Sequence, residues 1–200
     1  MNKKISAYKI CVIAFAVVIN YIGGQIALLL HLPIYLDSIG TFFTAALLGP
    51  IWGMLPNFLS GLILGFTIDV YSLYYAPVGI LVGLITGLVC RKGLPKGFMI
   101  IPAAAIITLP TSLVSALITA KLFGGITSSG STIIVQLLTK ANVNLTLSCF
   151  IVQFLTDYLD RIISLIVAAA VIKAIPASMK EEITGRFYGK GKMNLATGEK

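Results

Sequence analysis

Charged residues are scarce in this sequence of 200 residues. Fifteen basic and seven acidic side chains make up 11% of the chain, whereas 58% of its residues are apolar and the mean hydropathy is +0.98. An ordinary soluble domain has roughly a quarter of its residues charged. The composition therefore excludes a typical soluble globular protein and predicts a protein of the lipid bilayer.

Residues that carry common enzyme chemistry are also few. The chain has no Gly-x-x-x-x-Gly-Lys-Ser/Thr segment for nucleotide phosphates, one histidine (His31), and three scattered cysteines without a Cys-x-x-Cys pair. We therefore expect no catalytic residues, no metal site and no cofactor, and we expect Cys11, Cys90 and Cys149 to act as small packing residues. Any active transport has to be powered by another protein.

Long apolar runs predict an all-α integral membrane protein, a compact bundle of six transmembrane helices over residues 10–175. The expected spans are Ile10–Leu30, Tyr35–Leu48, Ile51–Ile68, Leu73–Cys90, Phe98–Leu122 and Val143–Ile175. Only Gly49-Pro50 separates the second span from the third, which predicts a tight turn there. A five-span alternative, with residues 35–48 re-entrant, remains open.

The basic residues predict the orientation of these spans. Twelve of the fifteen lie in residues 1–9, 91–96 and 173–200, and six alternating spans place all three segments on one side of the membrane. By the positive-inside rule, both termini are cytoplasmic, with residues 1–9 as a short N-terminal segment and residues 176–200 as a basic, flexible tail. The net charge of +8 is thus a property of the membrane flanks and does not indicate a nucleic-acid partner.

The opposite, outer side is expected to hold residues 31–37, 69–75 and 121–142, which are rich in polar and aromatic side chains. Thr132–Lys140 is predicted to form a short surface helix that acts as a lid. A pocket here would draw on these segments and on polar positions in the adjoining spans, although the tyrosines also fit the role of interfacial anchors. The candidate substrate-binding residues are His31, Tyr35, Asp37, Asn57, Asp69, Tyr71, Tyr74, Tyr75, Asn142, Asn144 and Ser148.

Four polar residues in the last span fall on one helical face, because they are four, three and one positions apart: Gln153, Asp157, Asp160 and Arg161. Such a face cannot meet lipid without a large cost. Asp157 and Arg161, four residues apart, are expected to pair, which leaves Asp160 to another partner. A structural or partner-docking role is favoured for the four, with direct ligand contact as the alternative.

Three segments give the chain a family resemblance: residues 36–41 (LDSIGT), residues 48–57 (LGPIWGMLPN) followed by Gly61 and Gly65, and residues 75–83 (YAPVGILVG) followed by Gly87. With six spans in residues 8–175 and a long outer loop before the last, the chain resembles the substrate-binding S-components of energy-coupling factor (ECF) transporters. These are prokaryotic uptake systems of the cell membrane.

The resemblance implies a subunit that captures a vitamin or related micronutrient. It also implies two kinds of protein partner, a transmembrane coupling subunit and two cytoplasmic ATPases. In that family an Ala-x-x-x-Ala pattern on the first span faces the coupling subunit, and here Ala7 with Cys11, and Ala16 with Asn20, only approximate it.

Several substrates and functions stay open. A corrinoid or other tetrapyrrole is favoured, with His31 as an axial ligand, although His31 also fits an interfacial polar residue. Pyridoxine, a pterin or a nucleobase-like compound would equally suit tyrosine rings. The alternatives to transport are a membrane-embedded sensor or assembly factor that docks a partner protein, and a small membrane enzyme.

Overall fold

The described part of the chain, residues 7–176 of a computed structural model, contains seven α-helices and no β-strand. The all-α class is thereby confirmed for these residues, while most of both expected cytoplasmic ends, residues 1–6 and 177–200, lies outside them. Two 3-10 turns, Cys90–Lys92 and Gly97–Met99, join the fourth and fifth helices. The helices are α1 Ala7–Leu29, α2 Ile39–Leu48, α3 Pro50–Thr67, α4 Val70–Val89, α5 Ile100–Phe123, α6 Thr132–Lys140 and α7 Leu145–Ala174.

Three helical stretches are long and apolar enough to cross a membrane: Ala7–Leu29, Val70–Val89 and Gly97–Phe123. The second expected span differs from the structure, because α2 has only 10 residues and begins at Ile39 instead of Tyr35. Leu36 has a φ of 53°, which an α-helix cannot continue. At about 1.5 Å per residue, α2 is roughly 15 Å long, half the thickness of a hydrocarbon core.

The short helix α2 lies at the centre of the molecule. Every residue from Gly40 to Leu48 is buried, and Phe42 packs in one core with Ile107 of α5 and Leu165 of α7. The predicted tight turn after α2 is confirmed, since Gly49 has a φ of 86° and Pro50 begins α3.

Helix α7 has its polar and apolar faces reversed relative to a helix of a soluble protein. Leu147, Leu155 and Leu159 are exposed on its outer side, whereas Asp160 and Ser164 are fully buried on its inner side. The expected burial of the Gln153, Asp157, Asp160 and Arg161 face is confirmed. An apolar outer surface around a polar interior is typical of helices that face lipid.

Glycines bring α3 and α4 close together. A Cβ atom on Gly83 would collide with the backbone of Gly53, and one on Gly87 would collide with Pro50. Small residues that let two helix backbones touch are common in membrane bundles. This contact joins the start of α3 to the end of α4, at the ends of the two helices that lie away from their connection at residues 68–69.

Candidate functional site

A polar cavity lies among α1, α3, α4, α5 and α7. Its interior volume is about 80 Å³. The segments that follow α1, α3 and α5 contribute Tyr35, Asp69 and Thr127 to its lining. All three are connections that the sequence assigns to the outer side.

Six of the eleven candidate substrate-binding residues line this cavity: Tyr35, Asp37, Asn57, Asp69, Tyr71 and Tyr75. Two residues for which a structural or docking role was favoured, Asp157 and Arg161, line it as well. The polar face of α7 is therefore part of the cavity wall at these two residues.

Two of the remaining candidates lie near the cavity but point elsewhere. His31 is exposed, with a φ of 48°, and its carbonyl packs against Gly130. Tyr74 is 48% exposed, and its ring meets Phe123 edge-on at 5.3 Å. His31 therefore does not support the expectation of a corrinoid, which depended on this residue as the axial ligand.

The last three candidates belong to the start of α7. Asn142 is exposed, and Asn144 caps the helix by accepting a hydrogen bond at Oδ1 from the Thr146 amide at 2.9 Å. Ser148 is fully buried, and its hydroxyl has no hydrogen-bond partner among the described residues. None of the three lines the cavity.

The candidate substrate-binding residues did not include several lining residues, among them Tyr21, Ser60, Ser115 and Ser128. Asn20, which was considered above only with Ala16 as an approximate docking position, lines the cavity as well. Asn20 is fully buried, donates to Thr41 Oγ1 at 2.9 Å and accepts at Oδ1 from the Gly40 amide at 2.7 Å. The sequence could have indicated Asn20 as a site residue, because a single amide side chain inside the apolar run of α1 needs polar partners. The hydroxyl residues gave no comparable signal, since serine is common in membrane helices.

A buried ion pair sits in the cavity wall, and it is not the expected one. Arg161 Nη1 donates to Asp160 Oδ2 at 2.5 Å, so the prediction that Arg161 pairs with Asp157 is wrong. The reason is the segment before α2: Arg161 also donates to Ser38 Oγ at 3.0 Å, which draws the guanidinium toward Ser38 and Asp160. Arg161 Nε is buried without a partner among the described residues.

The same carboxylate holds the segment before α2 in place. Asp160 Oδ1 accepts a hydrogen bond from the Leu36 amide at 2.9 Å, and Asp160 is fully buried. Ser38 Oγ accepts from Asn57 Nδ2 at 3.1 Å and donates to Asp37 Oδ1 at 2.9 Å. The network ties α3 and α7 to the left-handed turn at Leu36, and thereby positions Tyr35 and Asp37 at the cavity.

Asp157 presents a carboxylate to the cavity. It is 5% exposed, and its Oδ2 accepts a hydrogen bond from Ser112 Oγ of α5 at 2.8 Å. No group among residues 7–176 donates to its other oxygen, Oδ1. Asp157 thus has one oxygen fixed by the protein and one left for a ligand.

Tyrosine rings form the aromatic part of the wall. The Tyr75 hydroxyl lies 2.5 Å from Thr119 Oγ1, which also accepts a hydrogen bond from Gln153 Nε2, so Gln153 positions Tyr75 without lining the cavity. Tyr71 packs edge-on against Phe123 at 4.8 Å. Burial raises the pKa of the Tyr35 phenol, which a hydrogen bond with Ser129 partly offsets.

The expected docking residues on α1 do not form one surface. Ala7 and Cys11 are exposed, whereas Ala16 is fully buried, with its backbone against Gly40 of α2. The expectation that Cys11 packs in the interior is therefore wrong, and only Cys90 and Cys149 are buried as expected. Ala16 therefore serves internal packing. The short helix Thr132–Lys140 is present as predicted, but in the connection between α5 and α7 the cavity is lined by Thr127 and Ser128 and not by α6.

No family model, no curated protein and no solved structure matches this chain.

Proposed function

We propose that this protein is the substrate-binding subunit of an ECF-type uptake transporter in a prokaryotic cell membrane. The observation that carries the proposal is the cavity, which is lined by tyrosines and charged groups and lies inside a bundle whose outer surface is apolar. A buried polar cavity is costly in a membrane protein unless it has a use.

The proposed topology has six spans and both termini in the cytoplasm. Three helices have the length and apolarity of membrane spans, and α7 has an apolar outer face that suits a fourth. The basic turn with Arg91 and Lys96 then lies inside, and the cavity opens outside. An outward opening is what capture of an external micronutrient requires.

Binding and energy supply are divided between proteins in this proposal. The chain has no phosphate-binding loop of the common type, so a coupling subunit and two cytoplasmic ATPases supply the driving force. The exposed apolar side of α1, which includes Cys11, is available for the coupling subunit.

The proposal is tested with the purified full chain. We expect native mass spectrometry to detect a co-purified small molecule, and we expect that molecule to rebind without ATP. In liposomes, uptake should require a co-reconstituted coupling subunit and ATPases. Uptake by the chain alone would refute the subunit proposal, and binding of a protein in place of a small molecule would favour the sensor or assembly-factor alternative.

A further inference from the structure

The charged groups of the cavity are unequal in sign. Three carboxylates line it, those of Asp37, Asp69 and Asp157, against a single guanidinium, that of Arg161. The guanidinium is already paired with Asp160, which does not itself line the cavity. The described part of the cavity wall therefore carries an excess of negative charge.

Neighbouring protein groups balance this excess only in part, because among the described residues Arg161 is the one cation that interacts with Asp37, Asp157 and Asp160. Asp69 Oδ2 accepts from Ser72 Oγ at 2.8 Å, and Asp37 and Asp157 likewise accept from serine hydroxyls. A hydroxyl donor carries no net charge, so it stabilises a carboxylate less than a cation does. Since buried charge is strongly unfavourable without a partner, a cationic ligand beside Asp157 would lower this electrostatic cost.

The carboxylates are spread along the cavity and do not surround one point. Within residues 7–176, no three His, Cys, Asp or Glu side chains come together as a metal-ligating group. Asp69 lies just before α4, Asp37 lies before α2, and Asp157 lies well inside α7. The arrangement fits an extended organic cation better than a metal ion.

Aromatic rings complete the site. Tyr21, Tyr35, Tyr71 and Tyr75 line the same cavity as the carboxylates, and Tyr71 and Tyr75 both pack against Phe123, which fixes their rings. Tyrosine faces attract flat rings by stacking and attract cations through the ring quadrupole.

We propose that the ligand is an organic cation built on a flat ring, with its positive nitrogen bound by Oδ1 of Asp157 and its ring among the tyrosines. The inference rests on the proposed function, because it names the chemical class of the captured substrate. Asp157 is the anchor because it is the most deeply placed of the three carboxylates and has an oxygen without a protein donor.

The test compares three compounds that share one ring and differ in charge: pyridoxamine (cationic), pyridoxine (neutral) and 4-pyridoxate (anionic). Binding to the purified full chain is measured by calorimetry and by thermal shift. We expect pyridoxamine to bind at least about tenfold more tightly than pyridoxine, since a hydrogen bond to a charged group contributes more than a neutral one. 4-Pyridoxate should bind the weakest.

Asp157→Asn isolates the anchor, because the asparagine amide can still accept from Ser112 while it loses the charge. It should weaken pyridoxamine binding by roughly tenfold to a hundredfold and leave pyridoxine binding within about threefold. Tyr74→Phe, outside the cavity, is the matched control and should change neither. If Asp157→Asn does not fold, the ranking of the three compounds on the wild-type chain still decides the question.

Preferential binding of pyridoxine or 4-pyridoxate, or no binding of any of the three at millimolar concentration, would overturn the cation assignment. Those results leave the transporter proposal intact, since a recovered neutral micronutrient would still satisfy it. Conversely, a clear preference for pyridoxamine together with uptake by the chain alone would support the cation assignment and refute the subunit proposal.

Discussion

The buried pair of Arg161 and Asp160 allows the sharpest test of how the site is held together. In Arg161→Ala, Asp160 keeps only the hydrogen bond from the Leu36 amide, although its side chain is fully buried. Removal of one partner from a buried ion pair costs on the order of 3–5 kcal/mol. Ser38 still accepts a hydrogen bond from Asn57 in this variant, so the lost hydrogen bond between Arg161 and Ser38 adds little to the cost.

The expected loss is large enough to measure in detergent. For a chain of this length, about 2–4 °C of melting temperature corresponds to each kcal/mol, so Arg161→Ala should melt roughly 6–20 °C below the wild type. The fluorescence of Trp52, the single tryptophan, reports unfolding because that residue packs partly buried beneath Lys9. The assay needs no ligand.

A double variant separates charge from packing. In Arg161→Met with Asp160→Leu both charges are gone, and apolar replacement of a buried pair is often neutral or stabilising. We expect it to recover most of the stability lost in Arg161→Ala, less the hydrogen bond to Leu36. A melting temperature for Arg161→Ala within about 2 °C of the wild type would mean that Asp160 is hydrated, and would refute the reasoning.

Three further predictions concern packing, ligand contact and topology. Gly83→Ala should lower the yield of monodisperse protein in size-exclusion chromatography, because the added Cβ atom would collide with the Gly53 backbone. The control Gly61→Ala adds a Cβ atom that makes ordinary contacts and should be tolerated. Equal yields of the two variants would contradict the close approach of α3 and α4. Tyr75→Ala should weaken binding of the co-purified compound by about tenfold or more and Tyr74→Ala should not, as measured by calorimetry; equal effects would remove Tyr75 from the site. Ser128→Cys should react with a membrane-impermeant maleimide on intact spheroplasts and Pro95→Cys only after lysis, and the reverse pattern would invert the proposed topology.

Local sequence rules were sufficient for several elements. Gly49-Pro50 predicted the turn between α2 and α3, and the spacing of Gln153, Asp157, Asp160 and Arg161 predicted a buried face of α7. Both follow from the backbone limits of glycine and proline and from helical periodicity, which act within a few residues. The start of α2 was misplaced by four residues because the turn at Leu36 depends on Asp160, which is 124 positions away.

The sequence by itself determined that this is a helical protein with an apolar exterior, and it indicated most of the acidic and aromatic residues of the cavity. Composition and periodicity carry that information, because a polar side chain in an apolar run must turn inward. Only the tertiary structure decided that Arg161 pairs with Asp160, that Asp157 is left to face the cavity, and that Tyr75 lines it while Tyr74 does not. Neighbours in sequence receive opposite roles here because the cavity is formed by segments far apart in the chain, whose mutual positions no local pattern records.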